Sequence, residues 1–187
     1  MCLASWPSLL PAQLDEIITI SALVNYEDPQ KRLASQIAAA ETELARKEST
    51  AGAQSPETAD AVSALAELHF KAGNYERASP LIERALKIRL TSLGDGHLDT
   101  AASRHQLAQF REELGAFLDA ETLYRRALQV REQADSGSTE TAATLHALGR
   151  LLSKMDNLTE AEQLLRRALA IEERRSPAKD IQTAYTL

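Results

Sequence analysis

Apolar residues recur at helical spacing along residues 55–92, in two stripes that a short break separates. A spacing of three to four residues is typical of an amphipathic helix. Gly73 and Asn74 form the break, since glycine favours a helix end and asparagine can cap the next helix. The pattern therefore predicts two helices joined by a tight turn. The first stripe consists of Ala59, Val62, Leu65, Ala66 and Phe70, and the second of Ala78, Leu81, Ile82, Ala85, Leu86 and Ile88.

The same pattern returns with a period of 41 or 42 residues. Equivalent residues are Thr58, Thr100, Thr141 and Thr183; Leu65, Leu107 and Leu148; and Ala78, Ala120 and Ala161. The units are residues 55–97, 98–138 and 139–179, and residues 180–187 begin a fourth unit. One helix pair cannot bury its apolar face alone, so neighbouring pairs must stack. The sequence therefore predicts an all-α fold, a right-handed α-solenoid of stacked helix-turn-helix repeats.

Individual residues indicate where helices begin and how closely they pack. Ser55-Pro56 fits an N-cap followed by a first-turn proline. Pro80 lies inside the second stripe and removes one backbone hydrogen bond, so we expect a slight bend there and no break. Small residues such as Ala66 and Ala78 let two helix axes approach to the short end of ~8–10 Å.

The two ends of the chain follow the repeat less closely. Residues 1–54 predict a helix over 12–25 and another over 30–48, and we interpret them as a degenerate repeat or an N-terminal helical cap. Residues 180–187 supply about two turns of a fourth first helix. Since repeat arrays normally end on a helix with a polar outer face, we expect the last pair to be poorly capped.

Composition and charge exclude several classes of protein. The 187 residues include 21 Lys and Arg against 27 Asp and Glu, a formal net charge of −6, which argues against a general nucleic-acid binder. The single cysteine, Cys2, can form neither an internal disulfide nor a cysteine-based zinc site. No apolar run reaches the ~18 residues of a membrane helix, and the first residues do not read as a signal peptide. We expect a cytoplasmic protein without membrane insertion.

The repeat units resemble the tetratricopeptide repeat family, and in particular the long repeats of kinesin light chains. The resemblance rests on the second-helix phrases ERASPLIERALKI, LDAETLYRRALQV and TEAEQLLRRALAI, and on the linker Leu93–Thr100, of the type L-G-x-x-H-P-x-T with Leu98 in place of proline. It covers residues 55–187. It implies a stack whose first helices line a concave groove that binds a partner peptide or helix.

The resemblance also implies which side chains would face that groove. Carried over position by position, the family's groove positions fall on Ser63, Glu67, Phe70, His105, Gln109, Glu112, His146, Arg150 and Ser153. Phe70 is the strongest candidate because a large apolar side chain can anchor a partner. Each of these residues has an alternative interpretation as part of a solvated helix face, and Phe70 could instead be buried by the next repeat.

Three other clusters are candidate functional sites. The positions at which chaperone-binding members carry basic residues hold Ser63, Glu67, Gln106, Ala143 and Ala147, so we reject that function. His105 and His146 share a register, but no Asp, Glu or Cys completes a tetrahedral zinc set. Asp95, His97 and Asp99 fall on the family's linker, which favours a role as loop and cap residues.

No motif for catalysis or cofactor binding is present. The sequence contains no dinucleotide-binding glycine motif, phosphate-binding loop, H-E-x-x-H or nucleophile elbow. We therefore expect a non-enzymatic protein without cofactor or metal, an adaptor or scaffold that binds a protein or peptide and no nucleic acid. Two alternatives stay open: self-association through the open C-terminal end, and a regulatory segment of a larger signalling protein.

Overall fold

The computed structural model describes residues 28–175, which form seven helices and contain no strand. The predicted helix over 12–25 and the fourth unit from 180 lie outside this range. The helices are α1 (Pro29–Thr50), α2 (Pro56–Lys71), α3 (Tyr75–Ser92), α4 (Leu98–Glu113), α5 (Phe117–Asp135), α6 (Thr139–Lys154) and α7 (Leu158–Arg175).

The helices pack in sequence order as an all-α solenoid. The closest partners are α2 with α3, α4 with α5, and α6 with α7, so each repeat unit contains one helix pair. Successive pairs stack through α3 on α4 and α5 on α6, and α1 packs on α2 in the same way. Alanines at the facing positions are fully buried, among them Ala66, Ala78, Ala108 and Ala120, which allows the close packing expected from their size.

The recurring threonines have a structural role at the start of each first helix. Thr58, Thr100 and Thr141 are fully buried, and each hydroxyl donates to a backbone carbonyl six residues earlier at 2.8 Å. Ser55 and Ser138 cap α2 and α6 by accepting from the threonine amides at 3.1 Å. Each threonine thus ties the preceding loop to its helix, which explains why it recurs with the period of the repeat.

Three predictions about turns and helix interiors can be compared with the structure. Pro56 occupies the first turn of α2, as predicted, and α3 continues through Pro80 without a break. Asn74 was expected to cap α3, but its side chain makes no capping hydrogen bond and this prediction is wrong. Its backbone instead closes the turn by donating to the carbonyl of His69 at 2.8 Å, because Gly73 adopts a left-handed conformation.

The arginines of the first and third Arg-Ala-Leu phrases each pair with a glutamate on the helix that precedes them in the same row. Arg84 donates to Glu48 on α1 at 2.6 Å, and Arg167 donates to Glu132 on α5 in the same register. In the second unit, Leu90 on α3 stands at the position that Glu48 and Glu132 hold in the other two. Arg126 therefore has no glutamate there and bonds Asp95 in the linker instead. The second helices also carry the expected ion pairs four residues apart, Glu121 with Arg125 and Glu162 with Arg166.

Candidate binding groove

The first helices α2, α4 and α6 form one surface, which we call the groove. The nine predicted side chains divide by exposure. Gln109, His146, Arg150 and Ser153 are exposed; Glu67, Phe70 and His105 are half-buried; Ser63 and Glu112 are buried. Partner binding by all nine stays a prediction. The side chains of Ser63 and Glu112 are buried and contact other residues of the protein.

The junction between α2 and α4 is largely apolar. The Phe70 ring stacks on the buried Phe110 ring with centroids 4.2 Å apart, and Tyr75 packs edge-on against Phe70 at 5.2 Å. Beside this stack the Gln106 amide donates to the Glu67 carboxylate. A pocket of about 230 Å³ opens here. Its lining consists of Glu67, Phe70, Lys71, Gln106, Gln109, Phe110, Glu112, Glu113 and Arg150.

The junction between α4 and α6 is closed by an ionic cluster. The Glu112 side chain is 1% exposed, and it accepts from Lys154 at 2.7 Å and from Arg150 at 3.3 Å. The Tyr124 hydroxyl donates to the same carboxylate at 3.2 Å. Burial, with the adjacent Glu112 charge, raises the pKa of Tyr124, so its hydroxyl stays a donor. Three helices are therefore tied together at one buried carboxylate.

His105 belongs to this second junction, where its half-buried side chain packs against other residues. Its ring packs edge-on against Tyr124 at a centroid distance of 5.2 Å, and Nδ1 lies 3.4 Å from the Thr144 hydroxyl. Burial, with a smaller contribution from the Arg131 charge, lowers the pKa of His105 to about 4. The neutral imidazole therefore supports the packing of α4 on α5 and α6.

Two buried arginines that the sequence reasoning missed hold the repeats in register. Arg89 reaches from α3 to Ser103 on α4, and also bonds Ser63 at 3.1 Å and Asp60 at 2.5 Å. Arg131 occupies the equivalent position on α5 and bonds Thr144 on α6. Their spacing of 42 residues was the available signal. Ser63, predicted to face a ligand, serves this internal network.

The other candidate clusters have structural explanations. Nδ1 of His97 caps α4 by accepting from the Asp99 amide at 3.1 Å, and Asp95 pairs with Arg104 and Arg126. Among residues 28–175, no three His, Cys, Asp or Glu side chains are grouped so that they could hold a metal ion. In the same range, none of the helices combines the length and the apolar character needed to cross a membrane.

Several solved structures have folds similar to that of this chain. The chain is similar to BtubC from P. vanneervenii, with 19% identity and a TM-score of 0.72 over 93% of this chain and 69% of that chain. It is also similar to a kinesin light chain-like protein from P. anserina with nearly identical repeats (22% identity, TM-score 0.63, 89% of this chain and 87% of that chain). MamA is a more distant neighbour (14% identity, TM-score 0.52, 82% of this chain and 99% of that chain). At these identities the likeness concerns the fold alone.

Family membership follows from the sequence match. A search of curated proteins gives no significant match. The model of the tetratricopeptide repeat matches residues 57–133 and 99–174, which together span more than half of the chain. These matches cover the six helices α2 to α7 and the three helix pairs described above. The chain belongs to the tetratricopeptide repeat family.

Proposed function

We propose that this protein is a non-catalytic adaptor or scaffold that holds a peptide or helix of a partner protein in the groove. The tetratricopeptide fold is generally a protein–protein interaction module and typically lacks catalytic chemistry. The finer assignment rests on one observation, the pocket between α2 and α4 with its exposed polar rim. We place this role in the cytoplasm, with no cofactor and no nucleic-acid partner.

The pocket has the composition of an anchor site. The half-buried Phe70 ring supplies an apolar wall that the Phe110 ring supports from behind, so the wall keeps its position when a ligand arrives. Around it lie groups with free hydrogen-bonding capacity, such as the exposed amide of Gln109. A volume of about 230 Å³ accommodates one large side chain of a bound segment.

The electrostatic rim supports a polypeptide ligand over a small anionic one. Glu67, Glu112 and Glu113 lie beside Lys71 and Arg150, so the lining carries both signs of charge. A mixed rim suits a segment with backbone amides, carbonyls and side chains of either charge. A phosphate or nucleic-acid site would instead need a concentration of positive charge.

The test compares two matched triple variants in a quantitative pull-down from native lysate. The groove variant is Lys71→Ala, Gln109→Ala, Arg150→Ala; all three are exposed and line the pocket. The control variant is Lys87→Ala, Gln133→Ala, Gln163→Ala, exposed positions on the second helices. His105 is kept, because its replacement would disturb the packing against Tyr124.

The proposal predicts a partner that the wild type and the control variant retain and the groove variant loses. Titration calorimetry with the purified partner should then show at least about tenfold weaker binding to the groove variant. Both variants must first show wild-type helicity by circular dichroism. Equal binding of the partner by both variants would contradict a site in the groove.

A further inference from the structure

The two buried arginines that bridge neighbouring repeats differ in one partner. Both bond a hydroxyl group on the next first helix. Arg89 also pairs with the carboxylate of Asp60, 29 residues earlier, at 2.5 Å. The residue at the same separation before Arg131 is Ala102. A methyl group thus stands where the first unit supplies a carboxylate.

Arg131 is a buried cation that lacks an anionic partner within residues 28–175. The residue is 8% exposed. In that range it donates only through Nη1, to the Thr144 hydroxyl and to the backbone carbonyl of Glu140. Burial lowers the pKa of the Arg131 guanidinium, and the nearby Glu140 charge opposes this with a smaller effect. A buried guanidinium with unused N–H groups is unfavourable until an acceptor reaches it.

A pocket of about 390 Å³ opens at Arg131, between the starts of α4 and α6. Ala102 lines it from α4, and Ser138, which caps α6, lines it from the other side. The ionic cluster at Glu112 lies further along α4, ~15 Å from Ala102. The second junction is therefore closed near the end of α4 and open near its start. Both walls of this pocket belong to repeat units that the structure describes.

The charges around the pocket have opposite signs at its inner and outer parts. Arg131 is the one cation among the described lining residues, and it is buried. Three exposed carboxylates also line the pocket: Asp99, Asp135 and Glu140. These carboxylates would repel a free anion such as phosphate before it reached the arginine. A carboxylate with cations beside it would instead match both the arginine and the rim.

We propose that this pocket binds an acidic side chain of a partner polypeptide that has basic residues on either side. The ligand carboxylate accepts hydrogen bonds from Arg131, as the Asp60 carboxylate does from Arg89 in the first unit. Bonds of this kind, between a guanidinium and a carboxylate, are shorter and stronger than bonds between neutral groups. The basic neighbours of the acidic residue pair with the three rim carboxylates.

A polypeptide segment suits this pocket because the lining is apolar as well as charged. Leu98 is 50% exposed beside the pocket, and Ala102 and Ala134 add methyl groups to its wall. The alkyl part of a ligand lysine or arginine can cover Leu98 while its charge reaches a rim carboxylate. A small anion makes none of these contacts.

This inference goes beyond partner binding at the pocket between α2 and α4. The two pockets share no lining residue. The groove variant of the pull-down leaves every lining residue of the second pocket unchanged. Failure of either proposal therefore leaves the other standing.

The test is an NMR titration of the full ¹⁵N-labelled chain with two blocked tripeptides, acetyl-Lys-Glu-Lys-amide and acetyl-Lys-Gln-Lys-amide. The wild type should bind the Glu peptide at least about tenfold more tightly, the ratio expected for a hydrogen bond to a charged group. The largest shifts should occur at the amides of Ala102 and Ser138. The net charge of −6 favours the more cationic Gln peptide, so the opposite preference identifies a local cation.

Two matched variants locate the binding site without removing Arg131. Ala102→Asp supplies the carboxylate from within the protein, and should abolish the preference for the Glu peptide. Ala143→Asp makes the same change one unit later, where Glu172 replaces the arginine, and should keep the preference. Both variants must show wild-type helicity by circular dichroism. Equal binding of the two peptides by the wild type, binding of neither, or a preference that survives Ala102→Asp would overturn the proposal.

Discussion

The two junctions between stacked repeats use the same positions for different chemistry. Phe70 and Glu112 share a register, one repeat apart. At the first junction Phe70 stacks on Phe110 of the next first helix, while at the second Glu112 binds Lys154 and Arg150 of the next one. The register of the repeat therefore determines which surface a side chain lies on. The residues of the neighbouring repeat determine whether it stacks on an aromatic ring or forms an ion pair.

The difference between the junctions also indicates where a partner can bind. The ionic cluster has a buried carboxylate on α4 whose donors come from α5 and α6, and displacing them would leave it unpaired at a cost of ~1–3 kcal/mol or more. The aromatic stack presents an apolar wall beside an open pocket, where the hydrogen bond from Gln106 to Glu67 is half-exposed and both groups can bond water instead. The first junction is thus suited to recognition, and the second to holding the stack together.

The largest expected effect tests the part that both junctions share, their apolar core. Leu107 is 6% exposed and Leu148 is 1% exposed at equivalent positions. Leu107→Ala and Leu148→Ala should each lower the free energy of unfolding by ~2–5 kcal/mol, because both leave a cavity. Urea denaturation measures the effect. A midpoint that barely moves in either variant would contradict the repeat register.

The second prediction concerns pH, and it sets the two junctions apart. Only the second has His105, whose pKa falls from 6.5 to about 4 on folding. Between these values the unfolded chain binds more protons, so this histidine lowers stability as pH falls from 6.5 to 4 and contributes no slope above 6.5. The loss should be ~2–3 kcal/mol across that window. Urea midpoints of the wild type and His105→Gln should diverge there and run parallel above pH 7.

Removal of the buried carboxylate should have a somewhat smaller effect. Glu112→Ala leaves the Tyr124 hydroxyl and two cations without their shared acceptor, which should cost ~1–3 kcal/mol. The cations are about half exposed and can return to water, which limits the loss. Thermal unfolding provides the measurement. If stability is unchanged, the cluster does not hold α4, α5 and α6 together.

The smallest expected effect comes from the direct hydrogen bond between Gln106 on α4 and Glu67 on α2 at the first junction. The Gln106 amide reaches Glu67 in a half-exposed environment. Gln106→Ala should cost no more than ~1 kcal/mol, since both groups can bond water instead. Calorimetric unfolding of Gln106→Ala and Glu112→Ala under the same conditions would show which variant loses more stability. If Gln106→Ala loses more stability than Glu112→Ala, the first junction and not the second would be the one that holds the stack together.

The repeat could be derived from the sequence because its period reports local structure. The apolar stripes, the serine caps and the recurring threonines depend on neighbours within one unit, and each copy supports the others. The same period placed Phe70 and Gln109 on one surface. These features follow from helical geometry, which the residues nearby along the chain determine.

The depth of individual side chains could not be derived in this way. Glu112 is buried because Lys154, 42 residues later, folds over it, and Ser63 is buried because Arg89 crosses from α3. Such contacts join residues of different helices, so the hydropathy pattern along one helix does not predict them. Arginine and glutamate are usually exposed, so their burial follows only from the partners that the fold brings to them.

Photo-crosslinking from single sites would test most directly whether the groove holds a partner. A photoreactive amino acid replaces the exposed Gln109 beside the pocket, or the exposed Gln133 on α5 as the control. Both proteins are irradiated in native lysate, and crosslinked proteins are identified by mass spectrometry. The account predicts a partner joined to the Gln109 site and absent from the Gln133 site. A partner crosslinked only from the Gln133 site would contradict it.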